Sequence, residues 1–349
     1  MAIRWALLGP GRHAERSVVP QMRQAEGTEL VAVLSRDRAR GEAFAARHGV
    51  AKIFTTMEEL LRDRDIDAVY DASPDGLHAQ HAVAAAKAGK HALIEKPLAI
   101  SVREGIEAIA ASRRCGTRLG VIFNQRHEAV HQEARRLVLE GAIGEVKLAY
   151  VQIALRAATP RGPTAPRTWR SDPTLRAGGI VVSIGDHAHD TLSYLVGQEI
   201  ETVSGFTDAS SADPPDERVV GMVLKLSGGA IGYAAASFAT PFGRRPFEIH
   251  GTRGSLVIEN SYVYLTGAGD DPTPTLTLES DAGRTVRRFP ATDCFRLEIE
   301  QFNRAIEGKS EAMTSPEQGL HAVAIGEALY DAIQTGRVVR VSDYLPRSD

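Results

Sequence analysis

The chain has 349 residues, 43% of them hydrophobic and 24% charged, an ordinary globular composition that excludes disordered, collagen-like and fibrous proteins. Lys and Arg total 41 against 44 for Asp and Glu, a net charge of −3 with no basic run, so neither nucleic acid nor a membrane surface is an expected partner. Two cysteines, Cys115 and Cys294, are too few for a disulfide framework or a CxxC zinc site, and no stretch resembles a signal peptide or a membrane span. We therefore expect a cytoplasmic protein without a metal site, and the length suggests two domains.

The first 123 residues alternate short apolar runs with longer amphipathic ones. The candidate strands are Ile3–Leu8, Leu30–Leu34, Ala68–Ala72, Ala92–Ile94 and Arg118–Ile122. The candidate helices are Arg12–Glu26, Arg38–His48, Met57–Arg62, Leu77–Gly89 and Val102–Cys115. Thr56 and Ser101 stand where helix N-termini need side-chain caps, and Gly49, Gly89 and Gly116 follow the ends of helical patterns. This rhythm predicts an α/β nucleotide-binding domain with a doubly wound parallel sheet over residues 1–123.

From Asn124 onward the pattern changes to longer alternating runs separated by the turn pairs Gly228-Gly229, Gly269-Asp270 and Ala282-Gly283. A helix is predicted near Glu128–Glu140, and loops are predicted at Pro160–Pro173 and Ser210–Asp216. The candidate strands are Glu145–Ile153, Glu201–Thr207, Val219–Leu226, Ala230–Phe238, Phe247–His250 and Ser255–Glu259. The last predicted elements are the helices Phe295–Glu307 and Pro316–Thr335 and the strand Val338–Val341. Residues 124–349 are therefore predicted to form an α+β domain with a mainly antiparallel sheet.

The first strand runs into a G-x-G-x-x-A loop, Gly9-Pro10-Gly11-Arg12-His13-Ala14. The first glycine permits the tight turn, the second has no side chain to block a pyrophosphate, and the alanine lets the helix pack closely on the strand. The N–H groups of that helix then face the phosphates. Its place between a strand and a helix makes this otherwise weak pattern a predicted dinucleotide-binding loop.

The end of the second strand bears on the choice between NAD and NADP. An acidic residue is expected there to bind the ribose hydroxyls of NAD, but the strand ends at Ser35 and Arg36. A hydroxyl and a guanidinium suit the 2′-phosphate of NADP, and Arg40 is a further candidate. Asp37 is expected to cap the next helix, although a shift of one residue would place its carboxylate on the ribose. The sequence favours NADP over NAD.

Two more stretches, D-A-S-P-D-G-L-H at 71–78 and A-G-K-H-A-L-I-E-K-P at 88–97, follow in order. With the phosphate loop and a later G-G…G-x-H-x-x-D stretch, they resemble the glucose–fructose oxidoreductase/inositol dehydrogenase/rhizopine-catabolism (Gfo/Idh/MocA) family over essentially the whole chain. The resemblance implies an N-terminal Rossmann domain and a C-terminal domain with a large open antiparallel sheet. It also implies hydride transfer between NAD(P) and a sugar, polyol or related small carbonyl compound.

The stretch Glu95-Lys96-Pro97 follows a candidate strand, so it lies at the carboxyl edge of the sheet, where parallel sheets bind ligands. An ammonium at Lys96 would stabilise a developing alkoxide and lower the pKa of a neighbouring base. Pro97 fixes the backbone after the lysine, and whether its peptide bond is cis is left open. A surface Glu–Lys pair is the competing interpretation, which the neighbouring motifs make less favoured.

The second cluster spans 177–190. If one helix covers its second half, Ser183, His187 and Asp190 share a face at i, i+4 and i+7. His187 is the candidate proton-transfer residue, Asp190 a candidate to orient its imidazole, and His189 faces away and is expected to be structural. The family often has Asp where this chain has Ser183, and a hydroxyl supplies no negative charge. The departure implies an altered substrate, with Asp186 or Asp190 substituting.

Further contacts come from the resemblance alone. It places the turn 73–78 beside the nicotinamide ribose, the segment 124–126 between the domains and the pair 169–170 against cofactor or substrate. The implied cofactor-binding residues here are Ser73, Pro74, Leu77, His78, Glu95, Lys96, Pro97, Asn124, Arg126, Trp169 and Arg170. It also implies a homodimer or homotetramer formed through the C-terminal sheet. The alternatives are an NAD-dependent glycoside hydrolase of the same family and a non-catalytic nucleotide-binding regulator, and the retained Lys96 and His187 argue against the regulator.

Overall fold

The computed structural model describes residues 2–156, 169–208, 217–240, 245–262 and 273–346. They form two compact units. The N-terminal unit comprises Met1–Asn124, Thr168–Ala177 and Asp293–Val323, and the C-terminal unit comprises Gln125–Arg167, Gly178–Thr292 and Ala324–Asp349. The domain boundary after residue 123 stays a prediction, and two segments from later in the chain pack into the N-terminal unit.

The N-terminal unit contains a six-stranded parallel sheet with the order β3-β2-β1-β4-β5-β6. Its strands are β1 (Ile3–Leu8), β2 (Thr28–Leu34), β3 (Lys52–Phe54), β4 (Ala68–Asp71), β5 (His91–Glu95) and β6 (Leu119–Ile122). This is the doubly wound Rossmann order, in which the crevice at the carboxyl ends of β1 and β4 binds the ligand. The sequence analysis missed β3, which has three residues, lies at the sheet edge and has no fully buried side chain to produce an apolar run.

Several helices of this sheet begin or end at the signals found in the sequence. They are α1 (Val19–Met22), α2 (Arg38–His48), α3 (Met57–Arg62), α4 (His78–Lys87) and α5 (Val102–Cys115). Thr56 and Ser101 each accept a backbone hydrogen bond of 3.3 Å at a helix N-terminus. Gly49, Gly89 and Gly116 have positive φ, as predicted. The predicted helix Arg12–Glu26 is shorter in the structure: a π-helical turn, Ala14–Val18, runs into α1, which ends at Met22.

The C-terminal unit contains a nine-stranded sheet with the order β14-β13-β12-β11-β7-β10-β9-β8-β15. Its strands are β7 (Val146–Arg156), β8 (Ile200–Thr207), β9 (Val219–Leu226), β10 (Ile231–Thr240), β11 (Phe247–Gly251), β12 (Gly254–Glu259), β13 (Thr275–Ser280), β14 (Gly283–Arg288) and β15 (Val339–Arg340). Neighbouring strands are antiparallel except β7 and β10, which are parallel. The predicted fold class, a Rossmann domain followed by a mainly antiparallel α+β domain, is confirmed.

The remaining helices are α6 (Ala129–Leu139), α7 (Ile180–Ser183), α8 (Gly185–Val196), α9 (Cys294–Ile306) and α10 (Pro316–Thr335). Helix α8 packs on β7 and β10, and it carries buried His187 and Asp190 of the second predicted cluster. Most of the predicted loop Pro160–Pro173, the predicted loop Ser210–Asp216 and the turn Gly269-Asp270 lie outside the described residues. In the ranges given above, no helix has both the length and the apolar character needed to cross a membrane.

Candidate active site

The phosphate loop follows β1 and turns tightly against the end of β4. Gly9 has φ 74°, and a Cβ there would lie 2.8 Å from the carbonyl oxygen of Ala72 and from Cα of Ser73. Only glycine fits this turn. A Cβ at Gly11 would meet only the carbonyl oxygen of Gly9, at 3.8 Å. The loop is therefore open on the side of Gly11, which is the room that a pyrophosphate needs.

The end of β2 carries the residues predicted to choose the nucleotide. Ser35 is buried and its hydroxyl donates to the carbonyl oxygen of Asp37 at 2.8 Å, whereas Arg36 is exposed. The Asp37 carboxylate accepts the backbone N–H of Arg40 at 3.0 Å and caps α2, as the sequence analysis expected. The Arg40 guanidinium donates to the carbonyl oxygen of Pro10 at 3.1 Å, so it ties α2 to the phosphate loop.

A buried ion pair, absent from the sequence analysis, supports the turn after β4. The Asp71 carboxylate lies 2.9 Å from Nδ1 of His81 and accepts the backbone N–H of Ser73 at 2.9 Å. Burial raises the pKa of Asp71, but the hydrogen bond and charge of His81 outweigh it and hold this pKa below its usual range. A carboxylate ending a strand of otherwise apolar residues was the signal that could have revealed the pair.

His78 joins the two motif stretches within the N-terminal unit. Its Nε2 lies 3.0 Å from the carbonyl oxygen of Ser73, and its Nδ1 lies 2.7 Å from that of Pro97. The imidazole is 1% exposed, so both contacts are shielded from water. The peptide bond between Lys96 and Pro97 is cis. His78 therefore fixes the position of the segment that carries Lys96 relative to the turn after β4.

The carboxylate of Glu95 connects this segment to the phosphate loop. Its Oε1 accepts the hydroxyl of the buried Tyr70 at 2.9 Å and lies 2.8 Å from Nε2 of His13. Burial raises the pKa of Glu95, yet the charge and hydrogen bond of His13, with smaller contributions from Tyr70 and Lys96, bring it below its usual range. Glu95 is thus a carboxylate at neutral pH.

Three other predicted cofactor contacts also belong to the N-terminal unit. The guanidinium of Arg170 stacks over the ring of Trp169 at 4.1 Å from its centroid. Asn124 is 1% exposed, and its amide nitrogen has no hydrogen-bond partner among the described residues. A buried donor left without a partner is costly, which is consistent with a bound ligand accepting from it.

The second cluster differs from the predicted single helix. The chain breaks at Ile184, whose φ and ψ of −125° and −30° end α7 before α8 begins. Ser183 therefore closes α7, whereas His187 and Asp190 lie in α8, and the expected common face of all three residues is wrong. His189 is buried, and its Nε2 lies 3.3 Å from a carboxylate oxygen of Asp186; its structural role stays a prediction.

Asp190 holds an arginine. Its two carboxylate oxygens accept from Nε and a terminal nitrogen of Arg126 at 3.1 and 2.6 Å, and the two side chains are 5% and 7% exposed. The same guanidinium lies 5.3 Å from the ring centroid of Tyr194. The carboxylate that the sequence predicted to orient the imidazole of His187 therefore holds Arg126. The buried pair anchors α8 to the segment that precedes α6.

Tyr262, which the sequence analysis missed, contacts the backbone of His187. Its hydroxyl donates to the His187 carbonyl oxygen at 3.0 Å and accepts from Thr191 at 2.7 Å. Its ring is fully buried, stands at 87° to the His187 imidazole and stacks on Phe247 at 5.6 Å. Tyr262 has φ 58°, a conformation that is unfavourable for a bulky side chain and is retained only where surrounding contacts enforce it.

A second missed group, Glu217 with Tyr330, holds the start of α7. One carboxylate oxygen of Glu217 accepts from the Tyr330 hydroxyl at 2.8 Å and from the N–H of Val181 at 3.0 Å. A Cβ at Gly179 would lie 2.5 Å from this carboxylate, and one at Gly178 would lie 2.2 Å from the tyrosine oxygen. Glycine at positions 178 and 179 therefore leaves the space that these two side chains occupy.

Comparison with known proteins identifies the family. Residues 3–123 match the family model described as oxidoreductase family, NAD-binding Rossmann fold, and residues 131–257 match the GFO/IDH/MocA C-terminal domain. The chain is 31% identical over 339 residues to the 1,5-anhydro-D-fructose reductase of Ensifer adhaerens, a match that covers 97% of this chain and 98% of that protein. The chain belongs to the Gfo/Idh/MocA family of oxidoreductases.

Other dehydrogenases and oxidoreductases match over a similar length. The NADP-dependent D-xylose 1-dehydrogenase 2 of Haloferax volcanii is 30% identical over 339 residues, covering 97% of this chain and 99% of that one. The solved structure of the aldose–aldose oxidoreductase of Caulobacter crescentus, at 24% identity, superposes with a TM-score of 0.84 and covers 97% and 100% of the two chains. That structure supports the fold. The chain is an NAD(P)-dependent dehydrogenase or reductase.

Proposed function

We propose that the chain is an NADP-preferring oxidoreductase that acts on a sugar, a polyol or a related small carbonyl compound. The preference rests on the Asp37 cap: a carboxylate that accepts the N–H of Arg40 is directed to α2 rather than to a ribose. Arg36 is left as the exposed charged side chain next to the strand end, and a guanidinium suits a 2′-phosphate. The names of the relatives from Ensifer adhaerens and Haloferax volcanii support the substrate class.

The described residues of the N-terminal unit fit a dinucleotide. The open side of the loop at Gly11 and the unpartnered amide of Asn124 are the two features that a bound cofactor would fill. We assign to the cofactor the residues that the motifs predicted: Gly9, Pro10, Gly11, Arg12, His13, Ala14, Ser35, Arg36, Arg40, Ser73, Pro74, Leu77, His78, Glu95, Lys96, Pro97, Asn124, Arg126, Trp169 and Arg170. Within that set, Ser35, Arg40, His78 and Arg126 already hold protein groups, so we expect them to act by shaping the site.

The chemistry divides between Lys96 and His187. When bound, the nicotinamide gives or takes the hydride. Lys96 is proposed to stabilise the negative charge that develops on the substrate oxygen. His187 is proposed to carry the hydroxyl proton, because an imidazole titrates near working pH. Ser183 offers a hydroxyl for substrate hydrogen bonding, and Asp190 acts through Arg126 by fixing α8.

The test is a screen of sugars and polyols with NADP and NAD, read at 340 nm, followed by variants tested on the best substrate. Lys96→Met is expected to lower turnover at least ~10²-fold while nucleotide binding persists. His187→Ala is expected to show a similar loss and no pH dependence of turnover near neutrality. The matched controls are Lys87→Met, at an exposed lysine, and His250→Ala, at a half-buried histidine, and both should leave turnover unchanged. Near-normal turnover in Lys96→Met would remove this lysine from the mechanism.

We also propose that two copies associate through the C-terminal sheet. Phe206, Val223 and Tyr233 are 81%, 46% and 44% exposed on β8, β9 and β10, and such apolar exposure is characteristic of an interface. The variant Phe206→Asp should shift the mass measured by light scattering to that of a monomer, whereas a monomeric wild type would refute the proposal.

The exposed thiol of Cys115 supports a reducing, cytoplasmic location, which cell fractionation tests.

A further inference from the structure

His13 lies in the phosphate loop, between Gly11 and the first helical residue, and its side chain is 48% exposed. Its Nε2 is 2.8 Å from Oε1 of Glu95, the oxygen that also accepts from Tyr70. The imidazole packs edge-on against the ring of Phe295, at 5.6 Å between centroids and 66° between planes. One face of His13 is thus held by protein groups, while the other part of the ring remains accessible.

The groups around His13 decide its charge. Burial lowers its pKa, but the charge and hydrogen bond of Glu95 outweigh this and raise the pKa above the ordinary value, against smaller contributions from Lys96 and Arg170. Tyr70 does not add a charge, because burial raises its own pKa well above the ordinary value. Glu95 from β5, Lys96 beside it and Arg170 from the segment 169–171 are therefore the charged groups that face the imidazole.

A carboxylate beside a dinucleotide site poses an electrostatic problem. The pyrophosphate of the cofactor is anionic, so an uncompensated Glu95 would repel it, and partial burial strengthens that repulsion. The partner of Glu95 in the phosphate loop is a group that gains and loses a proton near neutral pH. With His13 protonated the pair is neutral, and with His13 neutral the negative charge of Glu95 is exposed to the cofactor.

We propose that His13 is the titrating counter-ion of Glu95 and that it makes the affinity for the dinucleotide depend on pH. Affinity is highest while His13 is an imidazolium and falls as pH rises through the pKa of this histidine. Conversely, the bound anion favours the imidazolium, so binding takes up a fraction of a proton in the same pH range. The inference rests on the dinucleotide binding that the proposed function includes.

The experiment measures the Kd of NADH by its fluorescence between pH 6 and pH 9. NADH is the probe because it has no monoester phosphate, whose own titration near pH 6 would act in the opposite direction. For the wild type we expect a Kd about fivefold higher at pH 9 than at pH 6, as befits one partly screened charge. Calorimetry in buffers of different ionisation enthalpy should show proton uptake on binding near the pKa of His13.

Three variants separate this role from a structural one. In His13→Gln a neutral amide replaces the imidazole, so the Kd should lose its pH dependence and stay at the wild-type value of pH 9. In Glu95→Gln the charge that needs compensation is gone, so the pH dependence should also disappear. The matched control is His48→Gln, since His48 pairs with Glu15 at 3.1 Å in the same unit and does not contact Glu95; it should retain the wild-type profile.

The outcomes distinguish the inference from the proposed function. A wild-type Kd that does not change with pH, or a full pH dependence in His13→Gln, would overturn the role of His13. Full pH dependence in Glu95→Gln would show that His13 acts without Glu95 and would overturn the coupling. A protein that binds neither NADH nor NADPH at any pH would instead refute the proposed function.

Discussion

The nucleotide preference is expected to depend on Arg36. The variant Arg36→Ala removes an exposed guanidinium from the end of β2 without disturbing a hydrogen bond that the structure shows for that residue. A charge-assisted bond contributes about 1.5–3 kcal/mol, and screening of an exposed charge places Arg36 at the lower end, so NADP should bind about tenfold more weakly. The affinity for NAD should stay the same, because NAD lacks the 2′-phosphate. Quenching of tryptophan fluorescence with both nucleotides measures the ratio.

Two neighbouring variants act as controls for Arg36. Arg38→Ala removes another exposed arginine, which pairs with Glu42 at 3.1 Å, and it should leave the NADP/NAD ratio unchanged. Asp37→Ala removes the cap of α2 and should cost about 1 kcal/mol of stability without improving NADP binding. Equal binding of NAD and NADP by the wild type would refute the reasoning. A large gain in NADP affinity in Asp37→Ala would show that this carboxylate faces the ribose after all.

The C-terminal unit allows three further predictions. Asp190→Asn leaves Arg126 buried without its counter-charge and should lower the free energy of unfolding by about 3–5 kcal/mol, measured with urea. Burial lowers the pKa of His131 to about 4, so this histidine destabilises the fold as pH falls from about 6.5, its unfolded value, towards 4. In His131→Leu the free energy of unfolding should therefore fall less over that pH range than in the wild type. The difference between the two proteins should reach up to about 3 kcal/mol at the acid end of the range. Tyr262→Phe keeps the ring but removes the donor to the His187 carbonyl, and should lower turnover severalfold while nucleotide affinity and KM are unchanged.

The N-terminal unit could be predicted well from the sequence because its signals are local. A helix that begins at Thr56 or Ser101 carries its own cap, and a parallel strand buried on both faces forms a continuous apolar run. The order of strands follows from the right-handed crossover that such units adopt. The prediction failed at β3, where the local signal was weak. It also failed at the short helix after the phosphate loop, where the helical geometry changes to a π turn.

Less of the C-terminal unit could be predicted from local signals in the sequence. Every side chain of β14 is exposed, so the hydrophobic pattern did not reveal this strand. The partner strand β13 has only two apolar residues, Leu276 and Leu278, and this short alternation was overlooked. The break at Ile184 is followed directly by Gly185, but a single glycine inside a helical pattern is tolerated, and the sequence therefore predicted a continuous face through Ser183 and His187. The packing of α7 against Glu217 and Tyr330 brings in groups that no spacing rule could supply.

The residues that support the candidate chemistry share one property: each comes from a distant part of the chain. Arg126 is 64 residues from Asp190, Tyr262 is 75 residues from His187, and Glu95 is 82 residues from His13. A sequence motif contains the group that does the chemistry, because that group must be one residue type at one position. Its support can be any donor, ring or charge that the fold brings near, so it leaves no fixed spacing behind. Substitutions at Arg126 and Tyr262, which lie outside the motifs, should therefore change turnover while every motif remains intact, and that is where differences between this chain and its relatives are to be measured first.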